Sequence, residues 1–341
     1  MTSMMTKLAA SAALATVMSG AAMAETTLIH AGHVLAEPGE GYLTRQTITV
    51  EAGEIVSIEA GYKRAPRGAE LIDLKEAYVL PGLIDSHVHI TGENGPNERI
   101  KAFEDTDVDA AFDGAGFAYK TLLTGFTTVQ DVGASNDAIF GLRDAIAKGN
   151  VPGPRIRAAG QAISVTGGHG DINGYSPAVM AMFTGKNICN GADDCRRAVR
   201  QQIKEGADVI KITATGGVLS NTRAGLEQQF TDDELVAIIE TAHSMGRKVT
   251  GHAHGKGVSK HGDNAQEFAL MVEAGFTPEE AIRAATVVAS EHVEMADVIG
   301  TITAGKHADI IAVMGDPLQD ITELQDVDFV MKGGTVYKQA Q

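Results

Sequence analysis

The chain has no tryptophan and only two cysteines among its 341 residues. Two cysteines exclude a disulfide-framed miniature scaffold, and neither Cys189 nor Cys195 sits in a metal-type C-x-x-C pair. In an oxidising compartment the two could close a small loop, or they could remain two thiols; the spacing leaves both open. Positive charge is also scarce. There are 28 Lys and Arg against 44 Asp and Glu, for a formal charge of −16. That balance argues against nucleic acid and anionic membranes as partners. No segment after the N-terminus is apolar enough to cross a membrane. Low-complexity tracts and short repeats are missing too.

The first residues read as a targeting segment. Lys7 supplies a positive start, Leu8 to Val17 a small apolar stretch, and Ala22-Met23-Ala24 an A-x-A cleavage site. The expectation is residues 1–24 as a signal peptide, cut after Ala24, with export to a periplasm or outside the cell. The remaining 317 residues are enough for one large domain and one small one. Hydrophobic content of 44% with 39 glycines suits an ordinary α/β protein.

Both ends of the mature chain read as short strands: Thr26–Leu35, Gln46–Val50, Ile55–Glu59 and Leu71–Leu74, then Ala308–Val313, Asp328–Met331 and Thr335–Lys338 around a Gly333-Gly334 turn. They are expected to form one small antiparallel β-sandwich from residues 25–82 and 297–341. Between them, residues 83–296 alternate strand and helix. The strands are Gly125–Val132, Arg155–Val165, Ala207–Ala214 and Lys248–His254. Helices are expected over Asn136–Lys148, Asp193–Glu205 and Thr231–Met245, the last opened by a capping box from Thr231 to Glu234. This repetition builds (β/α) barrels of the TIM type.

Three strand ends carry unusual side chains. Leu80-Pro81-Gly82-Leu83-Ile84-Asp85-Ser86-His87-Val88-His89 ends in His-x-His. Residues two apart on a strand share a face, so Asp85, His87 and His89 point the same way, and two imidazoles there can hold one divalent metal. Lys211 lies inside the apolar run Val209-Ile210-Lys211-Ile212, where an ammonium is costly unless paired or modified. Lys248 to Gly255 ends in a second His-x-His, His252 and His254. Barrel active sites sit where such strand ends meet.

With these motifs the chain resembles the amidohydrolase superfamily, and most closely its Xaa-Pro dipeptidase (prolidase)-like branch. Further markers are His261-Gly262-Asp263-Asn264 and Gly305-Lys306-His307-Ala308-Asp309-Ile310. The resemblance covers nearly all of residues 25–341. It implies two divalent metal ions, zinc being the simplest choice. His87 and His89 would bind one, an N-carboxylated Lys211 would bridge both, and His252 would bind the second. It places His169, in Thr166-Gly167-Gly168-His169-Gly170-Asp171, near the scissile group or the substrate carboxylate, and His254 in the substrate pocket. The implied activity is hydrolysis of a C–N amide bond by a metal-bound hydroxide, in dipeptides of Xaa-Pro type or N-acyl amino acids. The alternatives are an inactive truncated homologue or a cyclic-amide hydrolase of the imidazolonepropionase kind.

Two parts of the family pattern are missing. One is a histidine on the sixth strand; the other is an aspartate ending the eighth, which passes a proton to the leaving amine. The chain runs from His252-Ala253-His254-Gly255-Lys256 directly into Gly257 and the His261 motif. The expectation is an internal deletion near 256/257 of about two and a half βα units, roughly 75 residues. His261, Asp263 and His292 are weak substitutes. An incomplete barrel leaves parallel edges and a bare core. The outcomes open to it are an open α/β sheet, a homo-oligomer that completes the barrel, or an unstable chain.

Overall fold

The structure is a computed structural model that describes residues 26–93, 95, 98–182, 185–217, 225–252 and 260–339. Residues 1–24, read above as a signal peptide, the 256/257 position and His254 lie outside those residues. In chain order the first elements are β1 (Thr26–Val34), β2 (Leu43–Glu51), β3 (Glu54–Ala60), β4 (Glu70–Pro81), β5 (Leu83–Val88), α1 (Glu98–Glu104) and α2 (Asp107–Leu123). Then come β6 (Phe126–Asp131), α3 (Asn136–Ala147), β7 (Arg155–Ala158), α4 (Pro177–Met180), α5 (Ala192–Glu205), β8 (Ile210–Ile212), α6 (Asp232–Ser244) and β9 (Val249–Gly251). The chain finishes with α7 (Gln266–Glu273), α8 (Pro278–Arg283), α9 (Ala289–His292), β10 (Ile310–Val313), β11 (Phe329–Lys332) and β12 (Thr335–Gln339).

Strands from both ends share a seven-stranded sheet in the order β12-β11-β10-β4-β1-β2-β3. The reading of these strands as an antiparallel sandwich needs correcting: they form a single mixed sheet, and β1 pairs with β4 in parallel. The cause is a crossover, which parallel neighbours require. Residues 61–69 pass back over the sheet, where the Thr47 hydroxyl donates to the Gly61 carbonyl (2.7 Å) and His30 Nε2 lies 2.8 Å from the Lys63 carbonyl. Ile29, Ile48, Ile72, Val79, Ile310 and Phe329 fill the sheet's own core. Full burial of such a side chain is worth about 1.5–3 kcal/mol. The β11–β12 turn uses Gly333 and Gly334, both with positive φ, as the paired glycines suggest.

Gly82 is where the chain leaves this sheet for the parallel strands. A Cβ there would lie 2.2 Å from Thr127 Oγ1, and its N–H donates to the Asp309 carbonyl at 2.9 Å. Strands β5, β6 and β7 then pair in parallel, as do β8 and β9. Ile163 joins the two groups, since its N–H donates to the Lys211 carbonyl (2.8 Å) and its carbonyl accepts from Thr213 (3.0 Å). The unbroken strand expected over Arg155–Val165 is interrupted. Gly160 adopts φ 69°, with Asn136 Oδ1 pressed against the place a Cβ would take.

Both faces of the parallel strands are covered. On one face Val129, Ile156 and Ile210 share a core with Leu122 of α2, Ile139 of α3, Val199 of α5 and Ile238 of α6. On the other, Ile84 packs with Ala289 and Val293 at α9. Gln130 Nε2 lies 3.4 Å from His292 Nε2, Arg157 donates to Glu294 (3.0 Å), and Lys248 donates to the Glu291 and His292 carbonyls. One helix thus takes contacts from β5, β6, β7 and the start of β9. Among the described residues the parallel strands thus have both faces covered, which is what such strands need. The capping box at Thr231 is present through Glu234, whose carboxylate accepts from the Thr231 N–H (2.8 Å).

Candidate active site

His87 and His89 stand at the end of β5 with ring centroids 5.7 Å apart. Asp85 turns to a structural use. Its carboxylate accepts from the His87 N–H (3.0 Å) and from Asn264 Nδ2 (2.8 Å). The segment after the junction is thereby docked on β5. His261 is held in the same way, with Nε2 2.9 Å from the Gly92 carbonyl, its N–H on Glu93, and its ring stacked on Phe117 at 4.8 Å. His292 lies against Gln130 at the end of α9. The weak substitutes His261 and His292 are therefore engaged in packing.

Lys211 is 3% exposed. Its burial pushes the ammonium down to about 8, against the opposing pull of the Asp131 carboxylate. His252 and His169 stack with centroids 4.3 Å apart. Burial lowers His169 as well, with Lys211 and His89 adding to the effect. His87 is pushed down to about 4, first by burial and then by Lys211, His89 and His252, although one side of it is open to solvent. The structure thus gathers His87, His89, Lys211, His169 and His252 at one end of the parallel strands.

Among the described residues no three His, Cys, Asp or Glu side chains form a metal-sized cluster. The donors are imidazole pairs around Lys211. Lys211 Nζ and His169 Nδ1 are buried with no hydrogen-bond partner among the described residues, and burial favours their neutral forms. Neutral imidazoles and an uncharged amine are what metal ligation and N-carboxylation require. The donor chemistry therefore fits divalent metals.

Sequence reasoning missed Asp131, which is 0% exposed at the end of β6. Its signal was available: an acid closing an otherwise uncharged, wholly buried strand. It also missed a cavity of about 510 Å³ beside the site, lined by Gly133, Ser135, Gln161, Asp171, Met182 and Asn187 among others. Cys189 and Cys195 form a disulfide that ties this cavity's wall to the start of α5.

Parallel strands with helices on both faces and a histidine–lysine cluster at their ends define an α/β architecture with its candidate site at the strand ends. The amidohydrolase family profile matches residues 78–261 and 256–337, so the chain belongs to the amidohydrolase family. The two matched pieces meet at 256–261, where the sequence places its deletion. Ochratoxinase of Aspergillus niger is 26% identical over 427 aligned residues, covering 92% of this chain and 87% of that protein. That span exceeds the 341 residues here, so the relative carries residues with no counterpart. A solved Xaa-Pro dipeptidase with bound methionine is 31% identical with a TM-score of 0.86, covering 92% of this chain and 100% of that one. A prolidase complexed with N-methylphosphonate-L-proline is 26% identical with a TM-score of 0.81, at the same coverages.

Proposed function

We propose that this chain is a metal-dependent hydrolase of C–N amide bonds, acting on Xaa-Pro-type dipeptides or N-acyl amino acids. The observation that carries the reading is the gathering of His87, His89, His252 and His169 around a buried Lys211 with no partner among the described residues. The similarity to a Xaa-Pro dipeptidase and a prolidase supports the substrate class. In this reading His87, His89, His252 and Lys211, the last as a carbamate, would hold the ions, zinc being the first choice. Bound divalent ions supply Lewis acidity and a more acidic water. His169 orients the scissile group or the substrate carboxylate. The cavity beside Gly133 receives part of the substrate. The fold reading that goes with it is a TIM-type barrel lacking its later strands. Export with cleavage after Ala24 belongs to the same proposal, and the Cys189–Cys195 disulfide supports an oxidising compartment.

A second reading has its own support. The motifs for a sixth-strand histidine and an eighth-strand aspartate, the latter being the group that hands a proton to the leaving amine, are absent from the sequence. Protonation of the leaving group is typically worth 10²–10⁴-fold, so turnover is slow or lost if nothing replaces it. The experiment is metal analysis of residues 25–341 with assays on Xaa-Pro dipeptides, N-acyl amino acids and cyclic amides. Chelator-sensitive cleavage of the first two, lost in Lys211→Ala, supports the hydrolase. Bound metal without turnover supports the impaired homologue. Cleavage of cyclic amides alone, or no metal and no turnover, overturns the proposal.

A further inference from the structure

We propose that Asp131 and Gly133, in the turn after β6, are positioning residues that lock the ring of His89 in one orientation and one tautomer. The consequence for metal affinity rests on the metal-dependent reading above; the locking itself does not. A carboxylate with no exposed surface is costly unless both oxygens are satisfied. Here Asp131 Oδ2 accepts from the N–H of Ile90 at 2.6 Å, and Oδ1 accepts from the N–H of Gly133 at 3.1 Å. One carboxylate therefore ties the residue that follows His89 to the turn beside it.

That turn then acts on the imidazole. The Gly133 carbonyl lies 2.8 Å from His89 Nδ1. A carbonyl only accepts, so Nδ1 carries the hydrogen, and in the neutral ring Nε2 keeps its lone pair. The Nδ1–Cε1 edge of the ring also lies against the bare Gly133 Cα. A Cβ there would sit 2.8 Å from His89 Cε1 and 3.0 Å from Nδ1. Gly133 is not among the residues with positive φ. Its missing side chain therefore serves the neighbouring ring and not its own backbone. Acid, turn and glycine leave His89 one way to stand, with a lone pair at Nε2 available to a metal. Outer partners of this kind typically change metal affinity by about 10- to 100-fold.

Two variants and two readouts test this. Asp131→Asn sets an amide NH₂ against one of the two N–H donors and breaks one tie. Gly133→Ala leaves the carboxylate intact and displaces the ring. Ring ¹⁵N NMR of the metal-free protein reports the His89 tautomer, and chelator competition reports zinc affinity. In the parent, His89 shows a protonated Nδ1 and a bare Nε2. Each folded variant is expected to show mixed tautomers and zinc affinity lower by about 10- to 100-fold. A merely structural Asp131 would lower thermal stability and leave the tautomer alone. Parent-like tautomer in the folded variants overturns the proposal. If Asp131→Asn fails to fold, Gly133→Ala decides alone. If the parent binds no zinc, the metal reading falls, and the NMR comparison still decides the positioning.

Discussion

In the terminal sheet β1 and β2 are nine residues long and β4 is twelve, whereas β8 and β9 in the parallel region are three each. Long strands satisfy their backbone in the ladder and bury regular rows of Ile and Val. The short strands rely on side chains instead. Asp208 accepts from Arg143 and from the Ala158 N–H (2.9 and 3.0 Å), Arg157 donates to the Asp208 carbonyl, and Arg247 to the Ala207 carbonyl. The site is thus built on the less secured half, as regions that bind ligands often are. The terminal sheet and its Asp309 contact with β7 are made among described residues far from 253–259 in the sequence.

The comparison can be broken most strongly in the sheet. Ile310→Ala empties a fully buried position and is expected to cost about 2–5 kcal/mol in denaturant unfolding. Ile163→Ala, equally buried but in the bridge to Ile212 of β8, is expected to raise hydrogen exchange at Lys211 and Ile212 more than it lowers global stability. Equal global losses would erase the distinction. Next is the joint between the regions. Arg155 donates to Asp309 at 2.7 Å, and Asp309 is 4% exposed. Asp309→Asn leaves the guanidinium without its counter-charge, and about 3 kcal/mol should be lost; a neutral result would mean the two regions are secured elsewhere. Third, reducing Cys189–Cys195 should cost about 2 kcal/mol and loosen residues 185–191. No change in exchange there would remove the disulfide from the cavity wall's support.

The smallest effect is a pH slope. Burial, with Arg155 adding to it, lowers Lys332 to about 8. The unfolded chain then binds this proton more tightly than the folded one. The penalty is fully present below about pH 8 and is relieved as the pH rises toward the ordinary lysine value. Stability from this group therefore increases across pH 8–10, by on the order of 1 kcal/mol after solvent screening. Lys332→Met should flatten that slope; an unchanged slope would assign it to other groups.

Much of this was legible in the residues. Alternation of Ile and Val with polar residues marked β1, β2 and β10, and the Gly333-Gly334 pair marked their neighbouring hairpin. His87, His89, Lys211 and His252 stood out because imidazoles two apart on a strand share a face, and because a lysine in an apolar run needs a reason. Asp131 did not stand out in the same way, since nothing local says that its partners are the N–H groups of Ile90 and Gly133.

By itself the sequence determined the strand and helix types, the terminal pairing and the family, because these follow from periodicity, turn chemistry and local motifs. Only the tertiary structure decided that β4 returns to β1 in parallel, that α9 covers the second face of the parallel strands, that the two cysteines pair, and that Asp85 and His261 are structural. Those outcomes depend on which groups far apart in the chain satisfy one another's hydrogen bonds and buried surface, and no spacing along the chain encodes that.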